Sequence, residues 1–220
     1  MFRYTAGMTI IAVAGRKGGI GKSTIAGNLA GEFAVMKKSV ILLDADPQHS
    51  LVAWAAQGEG LLSKFTEKVD SGSPEALKTR VRKIKDVDIV LIDTPPGMPE
   101  TAYAAALVAD LVLLPCGPSP LDLFALKEAV ALALKARAQR RSKKPRIRFV
   151  PSKFNLSTNL GRGLTERLEK MGKKLLPGIS QRVILAEAVE EGMTISEFAP
   201  NSPSHAEFQA LAKAALKVSN

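Results

Sequence analysis

Among the 220 residues there is one cysteine, Cys116, and there are two histidines. A single thiol excludes an internal disulfide and a thiolate metal cage built on one chain. Cys116 ends an apolar run and reads as inert packing. His49 and His205 lie far apart, with no partners at a metal-binding spacing, and read as surface or capping residues. Aromatic residues make up only 5%, and Trp54, at helical spacing from Leu51, reads as core. No apolar run approaches the roughly 20 residues of a membrane span. The longest, residues 101–114, is rich in alanine and interrupted by Asp110. Residues 1–7 are short and mixed, so no secretory signal is read there, and a cytoplasmic location is expected. Met8 is an alternative start, which makes residues 1–7 a non-essential extension.

With 46% apolar and 24% charged residues the composition is that of an ordinary globular chain. Its length suits a single domain, residues 1–220. The net charge of +10 is unevenly placed. Residues 135–174 hold 14 Lys/Arg against Glu166 and Glu169, a net of +12, and the rest of the chain comes to −2. The densest part, 135–148, has eight basic residues and no acid. Such a segment is the footprint of a polyanion, or the solvated end of a helix followed by a basic loop. The candidate phosphate contacts within it are Arg137, Arg140, Arg141, Lys143, Lys144 and Arg146.

Short apolar runs alternate with helical patterns. Strands are expected at 10–13, 40–43, 87–92, 111–115 and 147–151. Helices are expected at 22–36, 74–85, 98–109, 121–139, 159–171, 183–191 and 204–218. Residues 58–60 and 71–74 read as turns. Continuous apolar strands separated by helices imply an α/β three-layer sandwich with a mostly parallel central sheet. Ligands of such sheets bind at the carboxyl ends of the strands.

Lys17-Gly18-Gly19-Ile20-Gly21-Lys22-Ser23 follows the first strand and opens the first helix. A glycine turn feeding a helix N-terminus aims backbone N–H groups at phosphate. Lys22 would neutralise the β- and γ-phosphates, and the Ser23 hydroxyl would ligate Mg²⁺; Thr24 follows in the first turn. The pattern departs from G-x-x-x-x-G-K-[ST], with Arg16 where the first glycine belongs and a second lysine, Lys17, beside it. Lys17 cannot easily fold back onto its own triphosphate, but it can reach one held by a second copy. An ordinary P-loop with a solvated lysine is the plainer reading.

The second strand runs into Asp44-Ala45-Asp46-Pro47-Gln48. Asp46 is the candidate for orienting the water that attacks the γ-phosphate. Asp44 is the candidate for the magnesium shell, with a helix N-cap as its alternative role. The third strand ends in Asp93-Thr94-Pro95-Pro96-Gly97. Its carboxylate suits a Walker B aspartate reaching Mg²⁺ through water, and Gly97 suits a switch that feels the γ-phosphate.

Together these three runs resemble the ParA/MinD group of deviant Walker A P-loop ATPases, most closely the small ParF-like partition proteins. Pro118-Ser119-Pro120-Leu121-Asp122 and residues 179–182, 197–200 and 202–204 are similar as well. The resemblance implies a weak ATPase using ATP and Mg²⁺, with catalytic Lys17, Lys22 and Asp46. It implies an ATP-dependent sandwich homodimer in which Lys17 crosses to the partner's nucleotide. It further implies non-specific binding of double-stranded nucleoid DNA in a bacterial cell, with Arg182 on the DNA surface. A ParB-like centromere-binding protein or cargo adaptor would stimulate hydrolysis, so that plasmid, chromosome or other cargo is segregated or positioned. Ser152 and Pro200 are the expected adenine contacts. The first strand begins almost at once, leaving no room for the N-terminal helix-turn-helix of larger partition ATPases. One alternative is a MinD-like membrane ATPase, which needs a terminal amphipathic helix. The last helix instead carries Phe208, Leu211 and Leu216 among alanines and reads as core, so no stable membrane association is expected. A metal-cluster carrier needs paired cysteines. A metabolic ligase of the dethiobiotin synthetase type shares the fold but accounts for neither Lys17 nor the basic segment.

Overall fold

The computed structural model describes residues 7–70 and 73–219. The expected extension at residues 1–7 therefore lies almost wholly outside the described residues, as does part of the turn expected at 71–74. Seven strands form one sheet: β1 (Thr9–Val13), β2 (Val40–Asp44), β3 (Thr66–Lys68), β4 (Ile89–Asp93), β5 (Leu111–Cys116), β6 (Arg146–Phe154) and β7 (Ile179–Ser180). Their order is β3-β2-β4-β1-β5-β6-β7, and every pairing is parallel. The central strands are apolar throughout, because both faces of a parallel sheet are covered. All five residues of β4 are buried.

The connecting helices are α1 (Lys22–Val35), α2 (Ser50–Ala55), α3 (Pro74–Lys83), α4 (Pro99–Val108), α5 (Pro120–Ala138), α6 (Asn159–Arg162), α7 (Leu164–Glu169), α8 (Ile184–Glu190), α9 (Ile195–Phe198) and α10 (Pro203–Ser219). Two cores flank the sheet. One packs α3, α4, α5 and α7 against alternate strand residues such as Ile10, Val90 and Val112. The other packs α1, α2, α9 and α10 against Ile11, Leu42 and Leu91. Phe33, Phe149 and Phe208 are the largest fully buried side chains, and truncating any one would cost about 3–5 kcal/mol.

Four of these short elements escape the sequence reading: the edge strands β3 and β7 and the helices α2 and α9. The helix expected at 159–171 is two, α6 and α7, broken at Gly163. Strand β6 runs past its expected end, carrying a register shift between Ser152 and Phe154 with Lys153 at a positive φ of 50°. The terminal helix α10 buries Phe208, Leu211, Ala212 and Ala215 in the second core, so its apolar face is already taken. Among the described residues no helix is long and apolar enough to cross a membrane.

Candidate nucleotide site

The carboxyl ends of β1, β2, β4 and β5 converge on the turn between β1 and α1. Gly21 sits at the N-cap of α1 with φ 90°, and no side chain caps that helix. By contrast, Ser73 caps α3 and Ser119 caps α5. The first-turn N–H groups of α1 are therefore left without a capping side chain, as an anion site requires. A Cβ on Gly21 would meet Ser152 Oγ at 2.9 Å, besides being strained at that φ.

Lys22 is the basic residue inside this cradle. Its side chain is 6% exposed and Nζ donates to Lys17 O at 3.2 Å. Burial holds its ammonium below the ordinary lysine range, and the Asp93 and Asp46 carboxylates pull it back up. Ser23 Oγ donates to Asp93 Oδ2 at 2.6 Å. Asp93 is fully buried, and burial pushes its carboxyl up to about 7. The hydrogen bond from Ser23 opposes that shift, while the Asp44 charge adds to it.

Asp93 Oδ1 is buried without a hydrogen-bond partner. An orphaned carboxylate oxygen beside a serine hydroxyl fits a divalent cation, whose charge would offset the burial. Among the described residues no three His, Cys, Asp or Glu side chains gather to hold a metal unaided. A hydroxyl, one carboxylate and phosphate oxygens are the donors that suit magnesium.

Asp44, expected in the magnesium shell or as a helix cap, has backbone partners on both oxygens. Its Oδ1 accepts from Asp46 N at 3.1 Å, and its Oδ2 from Leu51 N at 3.0 Å and Val52 N at 3.1 Å. Oδ2 thus ties the start of α2 to the end of β2, in keeping with the capping alternative, while Oδ1 braces the turn that follows β2. Asp46 stays beside Lys22, 8% exposed, with Oδ1 accepting from Gln48 N. His49 precedes α2 at a positive φ of 48°. Gly97, at φ 70°, donates from its N–H to Arg16 O, so the Asp93–Gly97 turn is tied to the phosphate turn.

Lys17 turns away from the cradle. Its Nζ bonds Asp122 Oδ1 at 2.5 Å in the first turn of α5 and stays 41% exposed. Asp122 also completes a capping box with Ser119. Burial raises its carboxyl, but the bonds from Lys17 and Ser119 outweigh that and hold it below the usual aspartate range.

Of the expected adenine contacts, Ser152 is 2% exposed and donates to Ile20 O at 2.8 Å, so its hydroxyl braces the phosphate turn. Pro200 is exposed, and its carbonyl pairs with His205 Nδ1 at 2.5 Å. His205 itself is no surface residue. It is wedged between that carbonyl and Glu32, 3.0 Å from Nε2. Trp54 is core as expected, donating Nε1–H to Met193 O. Cys116 is buried, and burial pushes its thiol up to about 12.

The densest part of the basic segment, around residues 137–146, lies at the other end of the sheet, because α5 runs antiparallel to the strands it joins, whereas Lys153 and Arg167 lie at the carboxyl end, beside Gly21 and the start of α5. Arg137, Arg141 and Lys143 are exposed there. Arg140 donates to Ala109 O, Lys144 pairs with Asp110 at 2.9 Å, and Arg146 donates to Val218 O. Arg182 is ion-paired with Glu207 at 2.8 Å.

Residues 11–195 match the CobQ/CobB/MinD/ParA nucleotide-binding domain family. The chain belongs to that family. It is 40% identical over 126 residues to a maintenance of carboxysome distribution protein A from Gloeobacter kilaueensis, a match covering 57% of this chain and only 56% of that protein. It is 29% identical to the chromosome-partitioning ATPase Soj of Thermus thermophilus across 92% of this chain and 93% of that one. Among solved structures, apo McdA of Cyanothece superposes with a TM-score of 0.78 at 20% identity, covering 95% of this chain and 99% of that one. MinD of Pyrococcus horikoshii, complexed with Mg-ADP, gives 0.75 at 22%, covering 97% and 98%. These likenesses place the fold with the ParA/MinD P-loop ATPases, whose cofactors are ATP and Mg²⁺.

Proposed function

We propose that this chain is a ParA-type positioning ATPase, in which ATP joins two copies face to face and hydrolysis parts them. The observation that carries this is the separation of the two lysines: Lys22 fills the cradle, while Lys17 is held outside it by Asp122, half-exposed and turned away from its own phosphate site. The first-turn amides of α1 and Lys22 bind the triphosphate. Ser23 and Asp93 would hold magnesium, which when bound offsets the charge gathering on the β- and γ-phosphate oxygens. Asp46, next to Lys22, orients the attacking water by accepting its proton in a hydrogen bond. Lys17 of each copy reaches the other's phosphates and adds positive charge where the transition state becomes more anionic. Few covalent steps are asked of the protein, so a slow turnover that waits on positioning is in keeping with the site.

The partner polyanion is double-stranded DNA, bound through phosphates without sequence preference. A ParB-like or cargo adaptor protein would stimulate hydrolysis, and the bacterial nucleoid would be the place of action. The buried apolar face of α10 favours this over membrane attachment. Sizing chromatography with a slowly hydrolysed ATP analogue and magnesium tests it, together with filter retention of duplex DNA. A nucleotide-dependent dimer that retains DNA is expected. A chain that stays single at saturating nucleotide, or that binds vesicles of anionic lipid but not DNA, overturns it.

A further inference from the structure

The nucleotide cradle occupies the carboxyl pole of the sheet. The opposite pole gathers the turns that lead from each helix into the next strand. These turns are distant in sequence yet share a composition. Lys37 and Lys38 lead into β2, Lys83 and Lys85 into β4, and Arg141 and Lys143 into β6, and all six are exposed. The acids at this pole are Asp86 and Asp88, both exposed in the turn into β4, and Asp110. Asp88 accepts from Ser39 N and Oγ, and Asp110 accepts from Ile10 N and pairs with Lys144. The basic surface at this pole thus reaches beyond residues 137–146 in sequence, and the fold assembles it.

We propose that each protomer carries a duplex-binding site on this pole, so that the ATP-joined dimer cross-bridges two separate DNA segments. The inference rests on the face-to-face dimer proposed above. Helix α5 gives the scale: its first turn holds Asp122, the partner of Lys17, and its last turn holds Arg137. At 1.5 Å per residue it spans about 28 Å. Two copies joined at their nucleotide ends put the basic poles outermost, roughly 60 Å apart and facing away from each other. One duplex would have to double back to touch both, within far less than its persistence length of about 150 bp. Two segments meet them unbent. A single pole offers only salt-sensitive phosphate contacts. Where two segments belong to one long molecule and are held close together, linking two poles raises the apparent affinity by about 10²–10⁴ with no new contact. Nucleotide dependence of DNA binding then follows from valency, and the pole itself need not rearrange.

The test uses two short duplexes of about 40 bp, well under the persistence length, one on beads and one fluorescent and free. The full chain is added with magnesium and a slowly hydrolysed ATP analogue. The free duplex should be retained on the beads when nucleotide is present and lost without it, because a lone protomer has one pole and cannot hold two duplexes. Lys17→Ala, which removes the dimer, should abolish retention. A Lys83→Glu, Lys85→Glu, Lys143→Glu triple variant that still dimerises should lose it as well. Protein held on the beads without the free duplex overturns bridging while leaving the dimer and its DNA binding intact. Retention indifferent to the triple variant, or to nucleotide, also overturns it. Failure to dimerise on sizing chromatography overturns the proposed function along with it.

Discussion

Lys17 Nζ lies 2.5 Å from Asp122 Oδ1, joining the phosphate turn to the first turn of α5 across 105 residues of sequence. The lysine that would serve a second copy is thus held by its own chain. Dimer formation has to exchange this contact for one with phosphate.

Replacing Asp122 by Asn removes the charge while keeping an oxygen for the capping box. The pair is partly exposed, so its contribution is about 1 kcal/mol or less. Asp122→Asn should therefore dimerise at an ATP-analogue concentration up to about fivefold lower than the parent. Sedimentation velocity across a nucleotide titration measures it, and an unchanged midpoint would remove the restraining role.

Lys17→Ala acts in the opposite direction. Nucleotide should still bind, because Lys22 and the first-turn amides of α1 are untouched, while the dimer peak disappears. Fluorescent-nucleotide binding read beside sizing chromatography separates the two effects.

Asp46→Ala should leave dimerisation intact and slow ATP hydrolysis by about 100-fold, the contribution of a well-placed proton acceptor. The dimer would then persist on DNA. Phosphate release measured with DNA present checks it, and undiminished turnover would move the water-orienting role to another residue.

Asp93 gives a pH dependence. Its folded carboxyl is raised to about 7 from 3.8, so between those values the folded chain holds a proton that the unfolded chain releases. Stability without nucleotide should fall as pH rises from about 4 to 7 and level off above. Asp93→Asn should flatten that fall. Thermal melts at pH 5 and pH 8 in both proteins provide the comparison.

Asp44→Ala removes the acceptor for two backbone N–H groups at the start of α2, those of Leu51 and Val52, and for that of Asp46. Loss of a cap costs about 1–2 kcal/mol, or a fall in Tm of several degrees for a chain this size. If Asp44 served magnesium instead, Tm would hold and magnesium-dependent nucleotide binding would fall.

The central strands and the phosphate turn were legible in the sequence because their signals are local. Apolar runs such as Ile89–Asp93 end in a carboxylate, and the glycine turn leads straight into α1. What was hidden depends on chain segments meeting. Strands β3 and β7 have three and two residues, too few to show a period, and take their form from neighbours already in place. The two roles open to Asp44, magnesium shell or helix cap, stay undecided in the sequence because α2 is too short to show a period, and it is that helix which supplies the partners of Oδ2. His205 looked like a surface residue until α1 and the Pro200 turn closed around it. The basic pole was visible only in part, since Lys37, Lys83 and Lys143 are brought to one end of the molecule by the sheet alone.

Arg146 at the start of β6 donates to Val218 O at the end of α10, and β1 starts from the same end of the sheet. Both ends of the described chain therefore emerge among the lysines. A fluorescent protein or affinity handle fused at either end would crowd the face meant for nucleic acid, and cell imaging with such a fusion would report a weakened protein. A small dye on an exposed position of the intervening surface, such as Glu59 or Thr165 changed to cysteine, would leave that face open.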